Sequence, residues 1–272
     1  MGISQFGVTF SGVLLVPLFT WLMIEHGWRT ALVIFAGGVT LIGVPTILGG
    51  IVKTPEEKNL LPDGDSNSHG QESPTAQFEN QWSFRRALRE KEIWLIAVVM
   101  GSGFISISAV LLSIHSHMTD SGMSNMRASS IIAAMTFAGA IAKPLFGILA
   151  DHLNKKLVTY ISIAAQFFGV AGFVVFDSFL TLIVAAGIFG LGYGALMPLF
   201  NILVATIYGR RDFPRVIGLM GPIMLPFNML GLPLATFTYE KFGSYIPAYV
   251  GVLVFSLVAA ISLAFLKVRE TK

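Results

Sequence analysis

The sequence contains no cysteine, and only 12% of its residues are charged, about half of the share typical of soluble domains. The absence of cysteine excludes disulfide bonds, thiolate metal sites and a cysteine nucleophile. With 18 basic and 15 acidic residues in 272, the chain has too little charge to cover a soluble domain, so a water-soluble enzyme, a nucleic-acid-binding protein and a disordered chain are poor interpretations. Apolar residues make up 54% of the chain. This composition predicts an all-α, polytopic membrane protein.

Eight apolar segments are long enough to cross a hydrocarbon core about 30 Å thick, which needs about 20 residues of helix. They predict a bundle of about eight transmembrane helices, at residues 4–24, 30–51, 93–113, 129–150, 157–176, 179–208, 216–238 and 246–266. The one long polar stretch, 52–92, predicts a linker. Its last part, Ser83–Glu92, is typical of a short amphipathic helix at a membrane surface.

The basic residues of the loops are unevenly distributed between the two sides of the predicted bundle. One side has fourteen, namely Lys53, Lys58, Arg85, Arg86, Arg89, Lys91, Lys155, Lys156, Arg210, Arg211, Arg215, Lys267, Arg269 and Lys272. The other side has three, namely Arg29, Arg127 and Lys241. The positive-inside rule therefore predicts that the linker and the C-terminus lie in the cytoplasm.

An internal repeat relates the first predicted span to the seventh. The segments 17–21 (PLFTW) and 233–237 (PLATF) are each followed by a glycine ten residues after the proline, at Gly27 and Gly243. Six spans separate the two copies, and an even number keeps them in the same orientation, as between two six-helix halves. The repeat predicts that 1–51 holds the last two helices of a first half and that 93–272 holds a complete second half.

The segment 147–156 (GILADHLNKK) resembles the loop signature G-x-L-a-D-r-x-x-r-k of the major facilitator superfamily. That family has twelve helices in two six-helix halves joined by a long cytoplasmic loop. The matching residues are Gly147, Asp151, Lys155 and Lys156, and the resemblance implies that they act in a gating loop. His152 stands where the family usually has arginine.

Within the superfamily, the chain is most similar to the monocarboxylate porter and oxalate–formate antiporter group. Residues 2–7 resemble its fifth helix, residues 115–124 resemble its seventh-to-eighth connection, and Lys143-Pro144 stands where the group usually has Arg-Pro in the eighth helix. The resemblance runs from the fifth to the twelfth helix, and helices one to four have no counterpart in this sequence. We therefore expect that Met1 is an internal start or that the chain is a truncated product.

Lys143 is the residue that we expect to carry function. It lies seven residues before the end of the span 129–150, about 10 Å into the membrane, where a charge costs several kcal/mol unless something compensates it. Its own helix offers no carboxylate one turn away, since positions 139, 140, 146 and 147 are Gly, Ala, Phe and Gly. Such a cation suits an anionic substrate, and the resemblance likewise implies pairing with a substrate carboxylate. The alternative is that the long side chain reaches the lipid headgroups.

Other polar residues allow two interpretations each. Tyr193, Asn201 and Asn228 lie inside apolar spans and either line the substrate pathway or hydrogen-bond between helices. His115 and His117 follow the third span and either handle protons or lie exposed at a loop mouth. Neither a metal-ligand spacing nor an H-E-x-x-H, G-x-S-x-G or P-loop pattern occurs in the sequence, so we expect no metal, no cofactor and no enzyme activity.

Glycine and proline residues cluster in the later spans. The glycines of the sixth span predict close helix packing, at positions 187, 190, 192 and 194. The prolines predict helix breaks whose backbone faces a cavity, at positions 198, 222, 226 and 233.

Together these features predict a secondary transporter of small organic anions, such as monocarboxylates, that works by alternating access in the plasma or inner membrane. Its expected partners are the anion, the lipid bilayer and, as coupling ion, the proton; nucleic acid is not expected. Two alternatives stay open. The first alternative is that the chain carries a different small solute. The second is that it is inactive in transport, because an incomplete first half would open the polar cavity to lipid.

Overall fold

The computed structural model describes residues 2–50 and 84–267, without the side chains of residues 2–17 and of a few further positions. The chain divides into two compact units, one formed by Val8–Gln81 and the other by Trp82–Lys272 with Met1–Gly7. All regular structure within the described ranges is helical, which confirms the predicted all-α class.

The first helix, α1 (Gly2–Gly50), is two helices that meet at Gly27, where the backbone has φ 75° and ψ 158°. Glycine adopts this conformation without the steric cost that a Cβ would add. The part after the bend, Glu25–Gly49, is long and apolar enough to cross a membrane and corresponds to the predicted span 30–51. The predicted span 4–24 coincides with the helical residues before Gly27.

The second unit contains six long helices after the single-turn helix α2 (Phe84–Ala87). Each of the six is long and apolar enough to cross a membrane. They are α3 (Lys91–Asp120), α4 (Asn125–His152), α5 (Lys155–Val175), α6a (Phe179–Gly209), α6b (Asp212–Phe242) and α7 (Ile246–Phe265). Helices α6a and α6b form one helical run that bends at Gly209, where φ is 76°. With Glu25–Gly49, seven membrane-crossing helices are present among the described residues.

Contacts between helix ends show how the six helices alternate. At one end, Lys156 near the start of α5 hydrogen-bonds to carbonyl groups at the end of α7. At the other end, His117 near the end of α3 packs against Tyr245 and Tyr249 near the start of α7. We call the first the basic end, because Lys91, Lys155, Lys156, Arg215 and Lys267 occur at or next to the helix ends there; the other is the opposite end.

Glycines in α6a bring that helix close to two neighbours. A Cβ at Gly190 would meet the Met135 carbonyl group of α4, one at Gly194 would meet the backbone of Gly139 in α4, and one at Gly192 would meet the backbone of α5. Side chains at these three positions would push the helices apart, so the predicted close packing is confirmed for them. At Gly187 a Cβ would meet nothing within 4 Å.

The predicted breaks at prolines are wrong. Pro198, Pro222, Pro226 and Pro233 lie inside helices, and the non-helical backbone of the α6 run is at Gly209 instead. Neighbouring helices, side chains and local adjustments can satisfy the carbonyl group that a proline leaves unbonded within a membrane. Proline spacing therefore gave the wrong positions for chain bends here.

The amphipathic helix predicted for Ser83–Glu92 is shorter than expected. Among the described residues of this segment, Phe84–Ala87 form a single helical turn, and Lys91 already begins α3. The Trp94 indole N–H donates to the Leu88 carbonyl group at 2.9 Å and holds the connecting turn against α3. Part of the predicted segment is thus the start of a transmembrane helix.

Candidate functional site

Lys143 lies within α4, nine residues before His152 at the basic end, which corresponds to about 14 Å along the helix axis. The predicted depth was smaller, because the predicted span ended two residues earlier. The buried residues of α4 include Gly139, Ala142 and Phe146, so Lys143 adjoins the face that packs on neighbouring helices. Its side chain is half-buried.

Tyr193 of α6a packs against α4 at Gly139, which lies one helical turn before Lys143. A Cβ at Gly139 would meet the ring and the hydroxyl oxygen of Tyr193, and positions 139 and 143 are neighbours on one face of α4. The Tyr193 ring also packs against Phe189, with 5.8 Å between the ring centroids. The structure therefore places Tyr193 against α4 at Gly139, one turn before Lys143.

The two predicted asparagines are placed differently. Asn201 is half-buried and lies two turns after Tyr193 on α6a, towards the basic end. Asn228 is exposed, and its side-chain amide donates to the Met224 carbonyl group of its own helix at 3.2 Å. Asn228 thus bonds within α6b rather than between helices.

The loop signature lies at the basic end, between α4 and α5. Gly147 and Asp151 belong to the last turns of α4. Asn154 caps α5, because its side-chain oxygen accepts from the backbone N–H groups of Lys156 and Leu157. Asp151 is exposed, and the residue that caps the following helix is Asn154 rather than Asp151.

Lys156 joins this loop to the end of α7. Its Nζ atom donates to the carbonyl oxygens of Ala264 at 2.8 Å and Leu266 at 3.3 Å. The last carbonyl groups of a helix have no partner within the helix and carry partial negative charge, so a lysine stabilises them. The loop signature therefore fastens α5 to α7 at the basic end.

We expect Lys156→Met to lower the melting temperature of the purified protein by about 2–4 °C, because it removes about 1 kcal/mol of charge-assisted hydrogen bonding. The neighbouring Lys155→Met is the matched control, since it removes the same charge from the adjacent position. Thermal unfolding in detergent measures both. Equal melting temperatures for the two variants would contradict the capping role.

The two histidines differ in their surroundings. Helix α3 continues to Asp120, so both lie in the helix rather than in a loop, and the expected exposed loop mouth is wrong for His117, which is only 8% exposed. His117 lies near the Phe173 carbonyl group and packs edge-on against Tyr249, with 5.2 Å between ring centroids. His115 is half-buried.

Further hydroxyl groups surround His117 at the opposite end. The Tyr249 hydroxyl group lies 3.0 Å from the Ser113 hydroxyl group. Tyr239 lies near Asp120 and stacks on Tyr245 at 4.5 Å between ring centroids. Within residues 2–50 and 84–267, no three His, Asp or Glu side chains gather where they could hold a metal ion.

Sequence reasoning missed a second polar group inside the bundle. It consists of Gln166 of α5, 2% exposed, with the buried hydroxyl groups of Ser102, Thr159, Ser162 and Ser256. Gln166 lies within the predicted span 157–176, so the criterion that selected Asn201 would also have selected it. The serines and the threonine gave no such signal, because short hydroxyl side chains are common in membrane helices.

Comparison with known proteins gives matches over the whole chain. The family model of the Major Facilitator Superfamily matches residues 1–177 and, in a second match, residues 94–272. Residues 94–177 take part in both matches, which fits a fold built from repeated halves.

Individual relatives are distant and longer than this chain. It is 24% identical over 253 residues to monocarboxylate transporter 13 of Rattus norvegicus, covering 92% of the chain and 55% of the relative. It is 23% identical over 146 residues to monocarboxylate transporter 2 of Homo sapiens, covering 52% and 30%. It is 26% identical over 168 residues to the quinolone resistance protein NorA of Staphylococcus aureus, covering 61% and 43%. The chain thus spans about half the length of these relatives or less.

The family match and the apolar helices agree on the class of protein. Seven helices suited to crossing a membrane make the chain an integral membrane protein, and the matched family consists of transporters rather than enzymes. With the match covering every residue from 1 to 272, the chain belongs to the Major Facilitator Superfamily.

Proposed function

We propose that this protein serves the secondary transport of small organic anions, monocarboxylates in particular, by alternating access. The observation that carries the proposal is the position of Lys143, a half-buried cation about 14 Å from the basic end of an apolar helix. A cation at that depth costs several kcal/mol and in membrane proteins usually marks a substrate or ion pathway.

The surroundings of Lys143 suit a carboxylate of small size. Lys143 supplies one positive charge and N–H donors, and the Tyr193 hydroxyl group, which packs against α4 one turn before Lys143, supplies a neutral donor. One cation with one neutral donor matches the single charge and two oxygens of a monocarboxylate. The names of two relatives point to the same substrate class.

The proposal is tested by uptake into liposomes that contain the purified full chain. We expect saturable uptake of a radiolabelled short monocarboxylate such as lactate, with competition by other monocarboxylates and none by the corresponding amides. The amide keeps the size of the acid and loses its charge, so it isolates the role of charge. Uptake equal to that of protein-free liposomes, together with no lactate binding to the purified chain, would refute the proposal.

Another substrate is distinguishable in the same liposomes. NorA is named for quinolone resistance, so accumulation of a fluorescent quinolone is a direct comparison. We expect lactate uptake to exceed quinolone accumulation, and we expect added quinolone not to inhibit lactate uptake. The reverse order would favour a carrier of a different solute.

We also propose that protons are the coupling ion and that His117 takes part in handling them. An imidazole titrates near neutral pH, and His117 sits among hydroxyl groups at the opposite end of the bundle. We expect His117→Phe to weaken the stimulation of lactate uptake by an inward pH gradient at least about tenfold. His115→Phe is the matched control on the same helix and should keep the stimulation. An unchanged pH response in His117→Phe would remove His117 from proton coupling.

The basic end is proposed to face the cytoplasm of a cell with the protein in its plasma or inner membrane. The sequence contains no cysteine, so a single introduced cysteine can be labelled without background. Both His152, at the basic end, and Ser124, at the opposite end, are exposed. In intact cells, a membrane-impermeant maleimide should label Ser124→Cys and spare His152→Cys. The reverse pattern would invert the proposed orientation.

A further inference from the structure

A small polar cavity lies among α3, α5, α6a and α7, and neither Lys143 nor Tyr193 lines it. Its volume is about 10 Å³, close to the ~10–15 Å³ that admit one water molecule. The polar residues that line it are Ser102, Thr159, Ser162, Gln166 and Ser256. We call these five residues the Gln166 cluster.

Each hydroxyl group of the Gln166 cluster already donates its one O–H hydrogen bond within the protein. Each hydroxyl O–H donates to a backbone carbonyl group, in the pairs Ser102 to Val99, Thr159 to Lys155, Ser162 to Gly192 and Ser256 to Val252, at 2.8–3.2 Å. The Gln166 side-chain N–H also donates to Gly192, at 3.4 Å. What the cluster can still offer a ligand is therefore mostly acceptor oxygens.

Gln166 supplies an acceptor with no partner among the described residues. Its Oε1 atom is fully buried and makes no hydrogen bond there, and the contact of its N–H with Gly192 fixes which side-chain atom is the oxygen. A buried polar atom without a partner is costly, and more so in a membrane, where water is excluded.

The ligand that fits must donate hydrogen bonds, be about the size of water and be neutral. An acceptor-lined cavity repels an anion. The residues that line the cavity include neither a carboxylate nor any other charged group, so a cation bound there would be without a counter-charge. We propose that the Gln166 cluster binds one water molecule, which donates to Gln166 Oε1 and to a hydroxyl oxygen of a neighbouring helix.

Such a water molecule would connect helices that are far apart in the chain. Ser102 belongs to α3, Thr159, Ser162 and Gln166 to α5, and Ser256 to α7, while the Gly192 carbonyl group belongs to α6a. The water acts as a structural ligand at this four-helix junction. This site stands apart from the proposed anion site, so the failure of either leaves the other intact.

The first test adds a methyl group at the cavity wall while keeping the hydroxyl group, by Ser256→Thr in the full chain. If the methyl group expels a bound water and strands Gln166 Oε1, the melting temperature should fall by about 2–4 °C. If the cavity is dry, the methyl group fills it, and an unchanged or higher melting temperature would overturn the proposal.

The same substitution in a Gln166→Leu background distinguishes the loss of a hydrogen-bond partner of Gln166 Oε1 from steric strain. Leucine removes the acceptor, so Ser256→Thr should then lower the melting temperature by less than half as much. An equal fall in both backgrounds would indicate steric strain alone and would overturn the proposal.

Two measurements on the unaltered protein complete the test and do not depend on the variants folding. The melting temperature should be the same in sodium chloride and choline chloride at equal ionic strength; a rise specific to sodium would assign the site to a cation and overturn the water proposal. A high-resolution density map should show a peak 2.6–3.2 Å from Gln166 Oε1. A map of that quality without the peak would also overturn it.

Discussion

Lys143→Ala is expected to abolish saturable carboxylate uptake while leaving the amount of protein in the membrane unchanged. Removing one partner of a desolvated charge pair typically costs 2–5 kcal/mol, which corresponds to a loss of lactate affinity of about 30-fold or more. Lactate binding to the purified chain and uptake into liposomes measure the two effects separately. Binding and transport should fall together, because the cation acts on the substrate itself.

The structure explains why this substitution should not damage the fold. Lys143 adjoins the packed face of α4 without belonging to its buried residues, so its truncation to alanine opens no cavity in the buried core. The melting temperature of Lys143→Ala should therefore stay within about 2 °C of that of the unaltered protein. A large fall would mean that Lys143 has a structural role and would contradict the prediction.

Two further variants sharpen the test of Lys143. Lys143→Arg keeps the charge and offers two parallel donors instead of a point charge, so binding should persist with a changed preference among carboxylates. Lys91→Ala removes an exposed lysine at the start of α3, at the basic end and outside both the proposed anion site and the loop signature, and serves as the matched control. If Lys143→Ala retained uptake with an unchanged apparent affinity, the proposed anion site would have to be abandoned.

Gly194→Val should cause the largest loss of stability among the glycine positions of α6a. A Cβ at Gly194 would meet the carbonyl oxygen and Cα atom of Gly139, and backbone atoms cannot rotate away as a flexible side chain can. Helices α4 and α6a would have to separate, at a cost of about 1–3 kcal/mol or more. We expect the melting temperature to fall by about 3–10 °C, with less monodisperse protein after extraction.

Gly187→Val is the matched control for that prediction. It makes the same chemical change two turns earlier on the same helix, where a Cβ would meet nothing within 4 Å. Its melting temperature should stay within about 2 °C of that of the unaltered protein. Equal losses for the two variants would show that helix propensity, rather than the contact with Gly139, determines the effect.

Two glycines that the sequence repeat relates mark bends in the backbone. Gly27 and Gly243 both have positive φ, at 75° and 66°, but their ψ angles differ, at 158° and 19°. Only glycine takes such angles without steric cost, so a sharp turn after a helix leaves a readable mark in the sequence. Such a glycine does not by itself locate a helix end: α3 runs seven residues beyond its predicted end, to Asp120, and Gly122 just after it also has positive φ, at 86°.

That longer helix changed the interpretation of the histidines. Residues 114–120 contain polar side chains, which suggested a loop, yet they are helical and His117 is buried. The reason is tertiary: the rings of Tyr245 and Tyr249 pack against His117, and the Phe173 carbonyl group lies near it. These partners lie more than 50 residues away in the chain, where local patterns do not reach.

By itself, the sequence determined the membrane class, the order of the spans and the location of Lys143 well inside one of them, though at a depth about 4 Å too small. Each follows from local quantities, since hydrophobicity over about 20 residues defines a span and a fixed rise per residue defines a depth. Only the tertiary structure decided which helix faces meet. Tyr193 and Gly194 of α6a both pack against Gly139 of α4, and the Gln166 cluster lies among four helices. In a membrane, both the lipid-facing and the buried face of a helix are apolar, so hydropathy scarcely distinguishes them.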